Sequence, residues 1–139
     1  MTDKPEPDDF PPLMASPVMA GFPSPAEQYV DTKLDLNRLL APHAAATFFV
    51  RASGESMIGV GIYSGDILVV DRSLEAIDGS IVIAAVDNDF TVKRLRKTPR
   101  RLCLESANPQ FADIELGSES EMRLFGVVTA VIHRFVHQK

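Results

Sequence analysis

Hydrophobic and polar positions divide the chain at about residue 47. Before that point, prolines and charged residues interrupt the apolar positions, whereas after it short apolar runs alternate with turn residues. Short β-branched runs bounded by Gly, Asp, Asn and Ser are typical of β-strands rather than helices. The pattern therefore predicts a mainly β fold of several short strands, of sandwich or barrel-like type.

Seven segments carry the strand pattern, and two of them are expected to form a hairpin. The polar residues 87–89 separate that pair and predict its turn. Gly126 interrupts the last and longest run and predicts a bulge or bend there. The predicted strands are 47–50, 67–70, 81–86, 90–95, 102–104, 114–116 and 123–136.

Residues 1–25 contain seven of the ten prolines and predict a flexible, extended arm. Proline fixes φ and removes a hydrogen-bond donor, so such a segment does not fold readily by itself. Within it, Ala20 and Gly21 form a small-residue pair flanked by apolar residues, which suits a backbone that must enter a tight cleft. We expect two parts: the arm, and a β domain over residues 26–139.

Two short helices are predicted between the arm and the first strand. Ser24 suits the N-cap, Pro25 the first helical position and Glu27 the third position of a capping box, so a helix should run to about residue 31 or 32. Asp35 is expected to cap a second helix over residues 36–40, which ends before the proline at position 42.

Composition excludes several classes of protein. The net charge is −5, so the molecule as a whole is not a polyanion binder. A single cysteine excludes an internal disulfide framework and fits a reducing compartment. The sequence has no run of about 20 apolar residues for a membrane span and no signal-peptide pattern. A cytoplasmic protein without membrane association is expected.

Ser56 and Lys93 are the candidate catalytic pair. Ser56 lies in a glycine-containing turn, 53–57, and Lys93 lies in the apolar strand 90–95. A serine hydroxyl needs a base to accept its proton, and burial would lower the pKa of a lysine enough to supply one. Backbone N–H groups of Glu55 and Ser56 are candidates for stabilising an oxyanion.

The residues alone leave a second interpretation open. Ser56 could be an ordinary turn serine, and Lys93 a surface lysine whose aliphatic stem packs on the sheet. Spacing and composition by themselves favour this simpler interpretation.

Several segments resemble the LexA/UmuD-type family of self-cleaving Ser–Lys peptidases. They agree in order and spacing over about residues 18–136, and the upstream part resembles the UmuD branch, the self-processing subunit of an error-prone polymerase. Glu55 occupies a position that is often Asp in that branch. The matching segments are 21–26, 29–30, 34–37, 53–57, 65–71, 79–84, 90–95 and 124–128.

The resemblance implies roles for individual residues. Ser56 would be the nucleophile and Lys93 the general base. The scissile bond of the family joins a small residue to glycine, which here is Ala20-Gly21. A tethered substrate gains effective concentration, so cleavage would occur within the chain or within a dimer. The implied fold is the LexA-like peptidase fold, and no cofactor is implied.

The resemblance also implies partners. It predicts a homodimer, stimulation of cleavage by the RecA nucleoprotein filament, and a catalytic Y-family polymerase subunit of the UmuC type. The implied function is damage-tolerant DNA synthesis in the SOS response.

Other chemistry-bearing residues have simpler interpretations. The basic run 93–101 favours the solvated end of a hairpin over a DNA-binding patch. His133 and His137 have a spacing that would suit a metal on a helix, but the sequence there favours a strand, so no metal site is expected. Cys103 lies between leucines and is expected to pack in the core. Asp66 and Asp71 fit turns and strand ends.

Three other functions fit these residues less well than self-cleavage. A LexA-type repressor would need a helix-turn-helix domain, and the proline-rich residues before Ala20 do not suit one, so sequence-specific DNA binding is not expected. A signal-peptidase-like enzyme would need a membrane anchor. A non-catalytic binding module is disfavoured because both positions of the dyad are filled.

Overall fold

The computed structural model describes residues 9–21, 30–117 and 121–136. The chain separates into two compact units, residues 1–42 and 43–139. The predicted arm, both predicted helices and the Ala20-Gly21 pair belong to the first unit. Ser56 and Lys93 belong to the second.

The described part of the first unit contains a two-stranded antiparallel sheet and one helix. Strand β1 (Pro12–Met14) pairs with β2 (Val30–Lys33). Helix α1 (Leu36–Leu40) follows, and the side chain of Asp35 accepts a hydrogen bond from the Asn37 N–H at 2.9 Å. The predicted second helix and its cap are confirmed.

The first predicted helix is wrong at its C-terminal end. Its start, residues 24–29, lies outside the described residues, but residues 30–33 form β2 instead of continuing a helix. The capping box is a local signal, whereas pairing with β1 is a contact across the chain that the local pattern does not register. The β-branched Val30 and Thr32 suit the strand.

The second unit contains a seven-stranded antiparallel sheet, with strand order β3-β4-β9-β5-β6-β7-β8. Single 3-10 turns precede and follow β3, at Ala44–Ala46 and Ile58–Val60. The mainly β fold class predicted from the sequence is confirmed. The strands are β3 (Thr47–Arg51), β4 (Ile67–Asp71), β5 (Ile81–Val86), β6 (Asp89–Thr98), β7 (Arg101–Glu105), β8 (Ile114–Glu115) and β9 (Met122–Ile132).

The core lies on both faces of this sheet. Neighbouring residues of β5 belong to different clusters: Ile83 packs with Met57, Leu68 and others, while Val82 packs with a second cluster that includes Leu95. Successive side chains of a strand point to opposite faces, so β5 is covered on both sides. This explains why its sequence is continuously apolar rather than alternating.

The predicted hairpin is confirmed and brings Lys93 beside β5. Asp87 and Asn88 occupy the turn with φ of 49° and 73°, the left-handed values that two-residue hairpin turns require. β5 and β6 then pair in register, with Val82 opposite Lys93.

Strand β9 is shorter than predicted and carries the predicted irregularity. It ends at Ile132, opposite the first residue of β4, Ile67, so no ladder partner remains for residues 133–136. The register shifts beside Gly126. A Cβ added to Gly126 would lie 2.6 Å from the Val70 Cγ1 atom, so only glycine fits there without movement.

Candidate active site

The turn that carries Ser56 begins immediately after the edge strand β3. Gly54 has a φ of 90°, which favours glycine, and its N–H donates to the Ser64 Oγ atom at 3.2 Å. The turn continues into the 3-10 turn Ile58–Val60, and the side chain of Met57 beside Ser56 is almost completely buried. The buried methionine fixes one side of the turn and leaves the half-buried Ser56 at its surface.

Residues 107–108, which are distant in sequence, form hydrogen bonds with the backbone of this turn. The Ala107 N–H donates to the Ser56 carbonyl at 2.8 Å, and the Gly59 N–H donates to the Ala107 carbonyl at 2.7 Å. The buried side-chain amide of Asn108 donates to the Glu55 carbonyl at 2.9 Å. Three hydrogen bonds therefore fix the backbone on both sides of the Ser56 side chain.

Gly59 is needed for this close approach. A Cβ added at position 59 would overlap the Ala107 carbonyl oxygen, which is a backbone atom and cannot rotate away. The absence of a side chain lets the two backbones meet.

Lys93 projects from the middle of β6, and its side chain is largely buried, with 8% of the residue exposed. Its Nζ atom lies 2.8 Å from the Ser56 Oγ atom. It also lies 3.0 Å from the Thr91 Oγ1 atom and 3.1 Å from the Val92 carbonyl oxygen. The structure brings the two predicted dyad residues into hydrogen-bond contact across 37 positions of sequence.

Burial lowers the pKa of Lys93 below its ordinary value of 10.5. The amine contacts only neutral oxygen atoms and none of its hydrogen bonds goes to a carboxylate within the described residues. With no negative charge to stabilise the ammonium form, desolvation favours the neutral amine. The site therefore contains a group that can accept a proton.

The backbone N–H groups of Glu55 and Ser56 donate to no acceptor in the part of the chain that the structure describes. Their carbonyls, in contrast, accept from Ile58, Asn108 and Ala107. Free donors beside a nucleophile can stabilise an oxyanion. Within the described residues, the backbone N–H groups of both predicted oxyanion residues are therefore free to donate to an oxyanion.

A cleft of about 230 Å³ opens beside Ser56. Aliphatic and aromatic side chains supply most of its lining, and its polar groups come from the serine turn, Arg51 and Thr91. The cleft is large enough for small side chains of an extended peptide. Its lining residues are Val50, Arg51, Ala52, Ser53, Ser56, Leu68, Ile83, Phe90, Thr91 and Val92.

Ala20 and Gly21 are described in the first unit, where both are exposed and lie outside any helix or strand. The neighbouring Val18 and Met19 are exposed as well, at 95% and 54%. A peptide bond must be accessible to be cleaved, and these four exposed residues meet that condition.

The two aspartates noted in the sequence are buried and paired with histidines. Asp66 accepts from Nδ1 of His133 at 2.6 Å, and Asp71 accepts from Nδ1 of His43 at 2.7 Å. These contacts hold both ends of β4. His137 lies outside the described residues, which contain no group of three metal-binding side chains.

Three of the six cationic residues of the basic run on β6 and β7 pair with carboxylates. Arg94 and Arg96 both contact Glu105, with Arg94 at 2.7 Å, and Arg101 pairs with Glu115. The run forms the end of the β6–β7 hairpin, as the sequence predicts. Cys103, which also lies on β7, is fully buried, and burial raises the pKa of its thiol.

Two residues of the site were missed in the sequence. Thr91 lies two positions before Lys93, and because strand side chains alternate, that spacing places both on one face of β6. Thr91 could therefore have been identified from the sequence by its spacing from Lys93. Asn108 contacts the turn across 53 positions, which no local pattern reveals.

Known protein families and individual proteins match most of this chain. The family described as Peptidase S24-like matches residues 12–129. Protein SamA of Salmonella typhimurium is 47% identical over 123 residues, covering 88% of this chain and 85% of SamA. Protein ImpA of Escherichia coli is 50% identical over 125 residues, covering 88% and 83%. LexA repressor 1 of Pseudomonas putida is 37% identical over 118 residues, covering 84% and 58%.

Among the described residues, no helix is long and apolar enough to cross a membrane.

Proposed function

The chain belongs to the Peptidase S24-like family, and from this we propose that Ser56 and Lys93 cleave its own bond between Ala20 and Gly21. The family comprises self-cleaving serine peptidases, and the chain is one of its UmuD-like proteins of SOS mutagenesis. The observation that carries the proposal is the 2.8 Å contact between the Lys93 Nζ and Ser56 Oγ atoms.

The three contacts of the Lys93 amine account for its orientation. A neutral amine has two N–H donors and one lone pair. The Val92 carbonyl can only accept a hydrogen bond, and the Thr91 hydroxyl accepts the second. The lone pair then faces the Ser56 hydroxyl, which donates to it. In this arrangement Lys93 acts as the general base.

The reaction proceeds through an acyl intermediate. Ser56 Oγ attacks the carbonyl carbon of Ala20 while Lys93 takes its proton, and the resulting oxyanion accepts from the N–H groups of Glu55 and Ser56. Lys93 returns the proton to the Gly21 nitrogen as the C–N bond breaks. Water then hydrolyses the ester, with Lys93 again as the base. One oxyanion donor typically lowers the activation barrier by about 3–4 kcal/mol.

The small residues at the scissile bond fit the cleft beside Ser56. Neither the methyl group of Ala20 nor the absent side chain of Gly21 obstructs a close approach of the two backbones. Because the bond belongs to the same chain, its effective concentration near Ser56 is high. Cleavage leaves residues 21–139 as the processed form.

The processed form acts in damage-tolerant DNA synthesis with partners proposed from the family resemblance. These are a second copy of this chain, a UmuC-like Y-family polymerase subunit, and the RecA nucleoprotein filament as the stimulus for cleavage. The cytoplasm is the proposed site of this activity, because the filament forms there on single-stranded DNA.

The direct test is mass spectrometry of the purified full chain after incubation at alkaline pH and with RecA filament. The unaltered chain should lose residues 1–20, and Ser56→Ala and Lys93→Ala should remain intact. Lys97→Ala is the matched control, because this exposed lysine lies on the same strand. Cleavage at Ala20-Gly21 by either dyad variant would overturn the assignment.

A further inference from the structure

The loop that carries Ser56 is closed by contacts with the residues immediately before β4. The Ala52 N–H donates to the Asp66 carbonyl at 2.8 Å, and the Gly65 N–H donates to the Ala52 carbonyl at 2.8 Å. Residues 107–108 hold the later part of the serine turn, 53–57, whereas these contacts hold its beginning. Residues 63–66, here called the supporting turn, therefore fix the point at which the chain enters the serine turn.

One side chain of the supporting turn reaches the serine turn directly. The Gly54 N–H donates to the Ser64 Oγ atom at 3.2 Å. Gly54 lies two positions before Ser56. The position of the Ser64 hydroxyl therefore affects the direction of the backbone just before the nucleophile.

Asp66 connects the two ends of the supporting turn. Its Oδ2 atom accepts from the Tyr63 N–H at 2.8 Å, and its own N–H donates to the Tyr63 carbonyl at 3.0 Å. Asp66 is only 3% exposed, and a buried carboxylate oxygen without a partner is costly. Because Ser64 lies between these two residues, their contacts also determine where its hydroxyl points.

His133 contacts both ends of the supporting turn. Its Nδ1 atom lies 2.6 Å from the Asp66 Oδ1 atom, and its ring centroid lies 5.5 Å from that of Tyr63. His133 directly follows β9, whose last residue pairs with the first residue of β4. A continuous series of contacts thus leads from the end of β9 through Asp66 and Ser64 to the serine turn.

We infer that Ser64 and Asp66 are positioning residues for the proposed dyad, and that His133 holds Asp66 in this role. The inference rests on the proposed function, because it concerns how Ser56 is held beside Lys93. None of the three positioning residues contacts the Lys93 amine. They act by keeping the Ser56 Oγ atom within 2.8 Å of it, and a misplacement of about 1 Å can slow a reaction about 100-fold.

The opposite end of β4 provides matched controls. Asp71 is also 3% exposed, and its carboxylate lies 2.7 Å from Nδ1 of His43 and accepts from the Ser73 Oγ atom at 2.6 Å. Within the described residues, this second group of carboxylate, imidazole and hydroxyl forms no hydrogen bond with residues 53–57. Variants there remove similar contacts without reaching the serine turn.

The rate of self-cleavage at alkaline pH tests the role of Ser64. Ser64→Ala removes the acceptor of the Gly54 N–H, and the rate should fall about fivefold, as expected for the loss of one neutral hydrogen bond. Ser64→Thr keeps a hydroxyl and should keep most of the rate. Ser73→Ala should cleave as fast as the unaltered chain. A normal rate in Ser64→Ala, or an equal loss in Ser73→Ala, would overturn the inference.

Amide hydrogen exchange of Gly54, followed by NMR in full-length Ser56→Ala, tests the role of His133 without any cleavage. Adding His133→Phe removes the contact with Asp66 and should speed this exchange about threefold or more. Adding His133→Asn, which retains an N–H donor, should restore slow exchange, and adding His43→Phe should have no effect.

Unchanged exchange in the His133→Phe chain, or an equal increase in the His43→Phe chain, would show that His133 does not act on the serine turn. If the unaltered chain does not cleave itself, the proposed function fails, and the Gly54 exchange still decides whether these residues position the serine turn.

Discussion

At the scale of single residues, the site depends on how one buried amine is surrounded. Lys93 contacts three oxygen atoms and no carboxylate within the described residues, and its burial lowers its pKa. The sequence identified Ser56 and Lys93 through their motif resemblance, and the apolar neighbours of Lys93 predicted its burial. Thr91 could have been predicted from strand periodicity. Asn108 could not, because its contact depends on the tertiary fold.

Replacing Thr91 tests the orientation of the amine. Thr91→Val keeps the shape but removes the hydroxyl 3.0 Å from the Lys93 Nζ atom. The maximum rate of self-cleavage at alkaline pH should fall about fivefold, since one neutral hydrogen bond contributes about 1 kcal/mol. Thr91→Ser retains a hydroxyl and should retain most of the rate. Gel densitometry over time measures both rates.

Equal rates in Thr91→Val and the unaltered chain would show that the hydroxyl does not orient the base. An equal loss in Thr91→Ser would point to packing instead.

At the scale of structural elements, the strands were predicted well and the first helix was not. Each predicted strand of the second unit is present, because apolar runs bounded by turn residues are a strong local signal. The segment at Val30–Lys33 was misassigned because its pairing with β1 competes with a local capping signal. The contact of the serine turn with residues 107–108 could not be predicted from local sequence either, although it holds the backbone at Ser56.

Gly59→Ala tests whether that contact positions Ser56. The new methyl group would overlap the Ala107 carbonyl, so the turn must move away from residues 107–108. Stability should fall by about 1–3 kcal/mol, as for other overpacked sites, and self-cleavage should slow at least about tenfold under conditions where the variant is folded. Urea unfolding and the cleavage rate report the two effects.

Gly117→Ala is the control, because a Cβ there meets no atom within 4 Å. If Gly59→Ala loses stability but cleaves at the normal rate, the contact with residues 107–108 stabilises the fold and does not position Ser56 for cleavage.

At the scale of the whole molecule, the buried amine couples catalysis to stability. The pKa of Lys93 is lowered in the folded chain, so the unfolded chain binds more protons between that value and 10.5. Stability therefore rises with pH through this window. Below this window the protonated amine is held in the apolar site at a cost to the folded state. The same loss of a proton that relieves this cost leaves Lys93 in the neutral form that the proposed mechanism needs.

If neutral Lys93 is the base, the rate of self-cleavage must follow its titration. The pKa of Lys93 is measured by NMR of its side-chain Cε signal in full-length Ser56→Ala, and the self-cleavage rate of the unaltered chain is measured over the same pH range. Both midpoints should coincide below 10.5, with the rate rising as the proton leaves. A Lys93 midpoint at or above 10.5, or a rate that does not follow its titration, would contradict the account.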